Sequence, residues 1–310
     1  HPEDIQTLLK YADSQLRRRP QSGAYVQQAV NALEQILRQN PAEAETAGKL
    51  IDLYLLTQDK VGARRIADGW YSAVPTEPLA RRALVRALIA QAKDDEYAKA
   101  LERIREWRTS SADEPFLLRL AAGVVAAQNQ VERARQTLEQ LIARHPEDFE
   151  GAADLASLLW LQNEKDQAEA VLNRAVDRSP QSAEARMARA RLLILSEKRD
   201  QARSDLEEAV RLAGGNIRVL LPAGSLLADA GFIEAAGTAF EEAAKVEPHN
   251  AVIYETHAAA VLEAGNVEAG AALADRALSA PLGEQRFDVL EPAAELYSAA
   301  SRPVDVRKCL

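Results

Sequence analysis

The tetrapeptide His-Pro-Glu-Asp occurs twice in this chain, at His1–Asp4 and again at His145–Asp148. An imidazole beside two carboxylates could ligate a metal or form an acid–base pair. The chain has two further histidines, His249 and His257, eight residues apart, which is not a metal-ligand spacing. His145 and His249 flank prolines and read as solvated loop residues, and His257 reads as a hydrogen-bonded core histidine. Carboxylate pairs such as Asp94-Asp95 and Glu241-Glu242 read as charges on solvated helix surfaces. There is no Gly-x-Ser-x-Gly, no His-Glu-x-x-His and no phosphate-binding glycine loop. The sequence therefore offers no catalytic set, no metal site and no cofactor site. It predicts a protein that is not an enzyme.

The elements that carry these residues follow from composition and spacing. The 310 residues are 47% apolar but only 5% aromatic. Ala, Leu, Glu, Gln and Arg dominate, all good helix formers, and no alternating run of β-branched residues marks a strand. The expectation is an all-α chain. A net charge of −9 argues against a nucleic-acid partner, which needs a basic footprint. Cys309 is the one cysteine, so an internal disulfide is impossible. No apolar run reaches the roughly 20 residues that span a bilayer, and residues 1–20 have no signal-peptide pattern. The excess of Arg over Lys points to a GC-rich bacterial gene, and the low cysteine content suits either cytoplasm or periplasm.

Self-similarity organises the chain. Residues 128–148 and 162–182 match at a shift of 34, and the same shift extends both ways. Small anchors recur at Ala29, Ala63, Ala100, Ala134, Ala168, Ala202, Ala236 and Gly270, with Val306 opening a ninth member. The steps are 34 residues, except 37 from Ala63 to Ala100 and 36 from Gly270 to Val306. Twelve residues after an anchor stands Pro41, Pro75, Pro146, Pro180 or Pro248, and Ala112, Gly214 and Leu282 stand in its place elsewhere. Turn formers Asn129, Asn163, Gly231 and Gly265 lie five residues before their anchors. Such a period predicts helical hairpins that bury their apolar faces only by stacking on one another. Trp70 and Trp107 fall in the expected hairpin cores.

This pattern resembles the tetratricopeptide repeat family. Ala152, Leu155, Ala156, Leu159, Ala168, Leu172, Ala175 and Pro180 match its positions, as do Leu220, Ala223, Gly224, Leu227, Ala236, Phe240, Ala243 and Pro248. The resemblance implies one right-handed α-solenoid over residues 1–310. Its repeats run over about 5–43, 44–80, 81–114, 115–148, 149–182, 183–216, 217–250 and 251–286, with a partial one at 287–310. The segment 17–23 lengthens the first hairpin loop, and a change of superhelical twist is expected near 75–85 and 213–216. His-Pro-Glu-Asp becomes the hinge between repeats: proline stops one helix and Asp caps the next. Its occurrence at residue 1 predicts a chain cut from a longer array, as does the short last repeat.

The resemblance also implies a function: a scaffold that binds a partner protein or peptide along its first helices. Two sets of residues fall on the implied face. The basic set is Lys49, Arg82, Arg86 and Arg119, with Arg191 extending it, suited to an acidic partner. The apolar set is Leu55-Leu56, Trp160-Leu161 and Ile194-Leu195. Acids such as Asp52 could neutralise the first set, and packing between neighbouring helices could absorb the second. The ninth repeat positions hold Asp13, Asp52, Ile89, Gly123, Ser157, Arg191, Ser225 and Ala259, with none of the asparagines of the chaperone-binding branch. Two other roles remain open from the resemblance: a periplasmic scaffold of a bacterial exopolysaccharide-export protein, or the regulatory arm of a larger enzyme.

Overall fold

The structure is a computed structural model describing residues 5, 8, 9, 11, 12, 23–110, 114–280, 282, 286–307 and 309. The described residues form helices and no strands. In chain order these are α1 (Gly23–Gln39), α2 (Ala44–Leu56), α3 (Lys60–Ala73), α4 (Pro78–Ala90), α5 (Asp94–Ser110), α6 (Glu114–Ala127), α7 (Val131–Arg144), α8 (Phe149–Leu161) and α9 (Lys165–Arg178). Then come α10 (Ala183–Leu195), α11 (Arg199–Leu212), α12 (Ile217–Asp229), α13 (Ile233–Val246), α14 (Ala251–Glu263), α15 (Val267–Ser279), α16 (Arg286–Ala299) and α17 (Pro303–Val306). The chain divides into two compact units, His1–Leu141 and Ile142–Leu310. Within each, helices pair with their chain neighbours, and α2, α4 and α6 in one unit, or α8, α10 and α12 in the other, also meet in turn.

Each proline turn is built the same way. Asn40 to Glu43, Val74 to Glu77, His145 to Asp148, Ser179 to Ser182 and Glu247 to Asn250 are closed by a backbone bond from the last N–H to the first carbonyl, with proline second. Proline's fixed φ suits that position. The fourth residue is the N-cap of the next helix: Glu43, Ser182 and Asn250 each accept a backbone N–H on their side chains. Asp148 holds the N-cap position but accepts no side-chain cap bond, contrary to the expectation for His-Pro-Glu-Asp. The first copy of that tetrapeptide and the 17–22 loop lie outside the described residues.

The turn inside each hairpin is more demanding. Gln58, Ala92, Asn129, Asn163, Glu197, Gly231, Gly265 and Ser301 all have left-handed φ, between 53° and 90°. The following residue donates its N–H five residues back: Asp59 to Tyr54, Glu164 to Leu159 and Phe232 to Leu227, each at 2.8 Å. This is the Schellman stop, which satisfies carbonyls left open at a helix end. The left-handed positions also correct one register. Ala92 precedes Tyr97, not Ala100, by five residues, and α4 begins at Pro78 rather than near 81. The three extra residues therefore fall after residue 97. α5 has 17 residues against 14 in α3 because Thr109 stands twelve residues after Tyr97, where a proline would have stopped it.

A left-handed conformation costs an L-residue roughly 1–2 kcal/mol, and glycine escapes that cost. Ala92→Gly is therefore expected to stabilise the first unit by about 1 kcal/mol. The same exchange at exposed Ala98, inside α5, should destabilise it by about 1 kcal/mol. Urea unfolding followed on Trp70 and Trp107 in a Trp160→Phe background would show the opposite signs. Two losses of equal size would contradict the turn geometry.

Candidate functional site

Alanine anchors hold each hairpin together. Ala29, Ala63, Ala134, Ala168 and Ala202 are fully buried, and Ala236 is nearly so. Trp70 and Trp107 are buried as expected, Trp107 donating its indole N–H to Tyr71 Oη at 2.9 Å. With these side chains turned inward, the outer faces of the first helices carry what a partner can meet.

The basic set lies on α2, α4 and α6 of the first unit. Lys49 Nζ is 2.9 Å from Glu45, one turn earlier. Arg86 Nη2 donates to Asp52 on the preceding first helix at 2.8 Å. The Arg82 guanidinium lies over the Phe116 ring, 5.6 Å from its centroid, and Arg119 is half-buried on α6. Lys49 and Arg86 thus spend charge on nearby acids, and such exposed pairs contribute little to stability. Arg191 is exposed on α10 in the second unit. The first unit carries 20 Lys and Arg against 19 Asp and Glu, whereas the second carries 18 against 28. A near-neutral first unit weakens the case for a strongly anionic partner there.

The apolar set divides by depth. Leu55 and Ile194 are half-buried against their own cores, and Trp160 is half-buried with Lys165 Nζ 4.8 Å from its centroid. The next residues stand out: Leu56, Leu161 and Leu195 are 78%, 83% and 61% exposed. Leu161 and Leu195 end α8 and α10, neighbouring first helices of one unit, at the same place in the repeat. They form an apolar pair that the unit's own packing does not use.

The groups with chemical potential are dispersed. Asp95 and Glu96 pair with Lys99 in the first turns of α5, where a helix start favours negative charge. Glu241 and Glu242 pair with Arg276 and Lys245. His145 Nδ1 lies 3.6 Å from Glu147. His257 is a correction: it makes no hydrogen bond among the described residues and packs its ring 5.0 Å from that of Phe240. Burial, then Arg276, pushes its pKa down to about 4, so it is neutral at pH 7. Among the described residues no three His, Cys, Asp or Glu gather to hold a metal, and no helix is long and apolar enough to cross a membrane.

A tetratricopeptide repeat model matches residues 26–78, and a second matches residues 125–192. The chain contains tetratricopeptide repeats. Yeast Tom70 is similar over 98% of this chain and 67% of its own, at 17% identity and a TM-score of 0.52, a likeness of fold alone. MamA from Desulfovibrio magneticus RS-1 aligns with 54% of this chain and 95% of its own, at 18% identity and a TM-score of 0.35. No curated protein sequence matches.

Two features of the repeats escaped the sequence reading. One is a buried ionic network in the second unit. Arg189 donates to both oxygens of Asp205 at 2.6 Å and to Asn173 at 3.1 Å, and Arg186 reaches Asp205 at 3.4 Å. Asp205 is only 3% exposed. Its bonds raise the Arg189 pKa, fixing the cation. The other is a cavity of about 250 Å³ between α1 and α3, with Trp70 in its wall.

Proposed function

We propose that this chain is a non-catalytic scaffold that holds a partner protein through the exposed faces of its first helices. The carrying observation is the Leu161–Leu195 pair. Two leucines more than half exposed, at equivalent ends of adjacent helices, do nothing for the fold they stand on. Covering apolar surface yields roughly 25 cal/mol per Å², so a partner's apolar side chains would be drawn to that pair. Trp160, beside Leu161, extends the area, and aromatic residues are frequent anchors at interfaces. The surrounding unit carries ten more acids than bases, which favours an apolar segment with basic flanks. Lys49, Arg82, Arg86 and Arg119 form a second, weaker contact surface for acidic groups, with Arg191 a separate basic position. Residues 1–310 on this reading belong to one continuous array.

The leucine pair can be tested without disturbing the core. Leu161→Asp with Leu195→Asp should leave helicity and thermal unfolding unchanged, because both side chains already face solvent. Proteins retained by the immobilised wild-type chain should be lost by this variant. A parallel Arg82→Glu, Arg86→Glu variant measures the basic surface. A partner retained equally by all three chains would remove these faces from the reading.

A further inference from the structure

The leucine pair belongs to a longer row. Leu161, Leu195, Asp229 and Glu263 follow one another at steps of 34 residues. They are the last residues of α8, α10, α12 and α14, each 13 residues long. Each of these first helices meets the next, and all four side chains are exposed. The row lies within the Ile142–Leu310 unit. It is apolar over its first half and acidic over its second.

The two acids stand against their local electrostatics. A helix C-terminus carries partial negative charge, so a carboxylate there is unfavourable and a cation is favoured. Asp229 and Glu263 occupy that place, and neither has a hydrogen bond or ion pair among the described residues. Other acids of the unit do find cations: Glu169 has Lys198, Glu207 has Arg203 and Glu241 has Arg276. Beside Leu195 the exposed Arg191 and Glu197 offset each other, so the row turns negative at Asp229. Two leucines that do no packing, followed by two carboxylates without cations, are the complement of a segment with an apolar end and a basic end.

The spacing of the row selects a conformation. Neighbouring helices pack with axes about 8–10 Å apart, and a bound segment must present a side chain at that interval. A polyproline II chain has about three residues per turn and rises about 3.1 Å at each, so one face recurs every ~9 Å. A β-strand repeats a face at roughly 6.6 or 13 Å. An α-helix does so seven residues on, at about 10.5 Å, and drifts around its axis.

We propose, resting on the scaffold reading above, that the row binds an extended partner segment with two apolar and then two cationic side chains at every third position. The apolar pair covers Leu161 and Leu195. The Lys or Arg pair meets Asp229 and Glu263 together with the negative ends of α12 and α14. The segment can run in either direction, since only the order along the row is fixed.

Fluorescence anisotropy of labelled peptides with the full chain tests this. The first peptide is Leu-Ser-Pro-Leu-Ser-Pro-Lys-Ser-Pro-Lys. The second exchanges its fourth and seventh residues, and the third sets the same two leucines and two lysines seven apart in an alanine-rich helix. The first should bind saturably and roughly fivefold or more tighter than the others, the yield of two exposed ion pairs. Asp229→Asn with Glu263→Gln should remove that preference without lowering the unfolding midpoint. Asp229→Lys with Glu263→Lys should transfer it to the first peptide with Glu in place of Lys. The proposal is overturned if the first peptide does not bind saturably, if order makes no difference, or if the helical peptide binds tighter. It is equally overturned if the Asn/Gln variant binds as wild type or unfolds earlier, since the acids would then serve nothing or serve the fold. A partner protein still lost by the Leu161→Asp, Leu195→Asp chain in any of those cases keeps the scaffold reading and removes only the basic, extended segment.

Discussion

Asp205→Ala is expected to destabilise the Ile142–Leu310 unit by about 3–5 kcal/mol, the range for breaking a buried ion pair from one side. The physical reason is what remains. Arg189 and Arg186 would face a neutral methyl while still largely covered, each side chain only 19% exposed. Arg186 would keep its bonds to the Pro180 carbonyl, at 3.1 and 3.3 Å, and Arg189 would keep Asn173. These remnants put the effect near the lower end of the range. Trp160 is the single tryptophan of this unit, so in a Trp70→Phe, Trp107→Phe background the fluorescence during urea unfolding reads this unit. Asp205→Asn keeps the shape and removes the charge, so it should fall between wild type and alanine. Asn173→Ala, which deletes one hydrogen bond, should cost about 1 kcal/mol. An Asp205→Ala cost below that of Asn173→Ala would mean the guanidiniums find water freely, and the network would then be no more than a surface cluster.

The network also explains why parts of the molecule were legible in the sequence and parts were not. Hairpin positions were readable because each depends on local chemistry repeated every 34 residues: a small anchor, a proline, a turn former. Asn129, Asn163, Gly231 and Gly265 announced their turns because Asn and Gly tolerate positive φ. Gln58, Ala92 and Glu197 adopt the same conformation without being suited to it, imposed by packing on both sides. For that reason spacing alone puts the three extra residues before Ala100, whereas the turn at Ala92 puts them after Tyr97. Asp205 looked like any other helix-surface acid, since its partners lie 16 and 19 residues away on another helix. The Trp70 cavity depends on the spacing between α1 and α3, which no residue pattern encodes. Leu161 and Leu195 could be singled out because the repeat register alone places them beyond the hairpin core. Their actual exposure, against the partial burial of Leu55 and Ile194, required the packing.

Phe240→Ala is expected to cost about 3–5 kcal/mol, the cost of deleting a fully buried ring. Its partner change is more informative. Gly224 on α12 faces that ring, and a Cβ built there would lie 2.7 Å from Phe240 Cε1 and 3.0 Å from Cζ. The ring cannot easily retreat, because His257 of α14 packs near it with centroids 5.0 Å apart. Gly224→Ala should therefore destabilise by about 1–3 kcal/mol through overpacking, although alanine is the better helix former by about 1 kcal/mol. In a Phe240→Leu background the clashing ring atoms are gone, leaving only the propensity. There Gly224→Ala should become neutral or stabilising, a coupling between neighbours within the usual 0.5–3 kcal/mol. Urea unfolding of the four chains, read on Trp160 in the same Trp70→Phe, Trp107→Phe background, measures that coupling. Equal costs of Gly224→Ala in both backgrounds would show that the close approach of α12 and α13 is not what excludes a side chain at residue 224. A change of sign would show that the small residue at 224 admits the ring, and that this hairpin is held by that fit between its two helices.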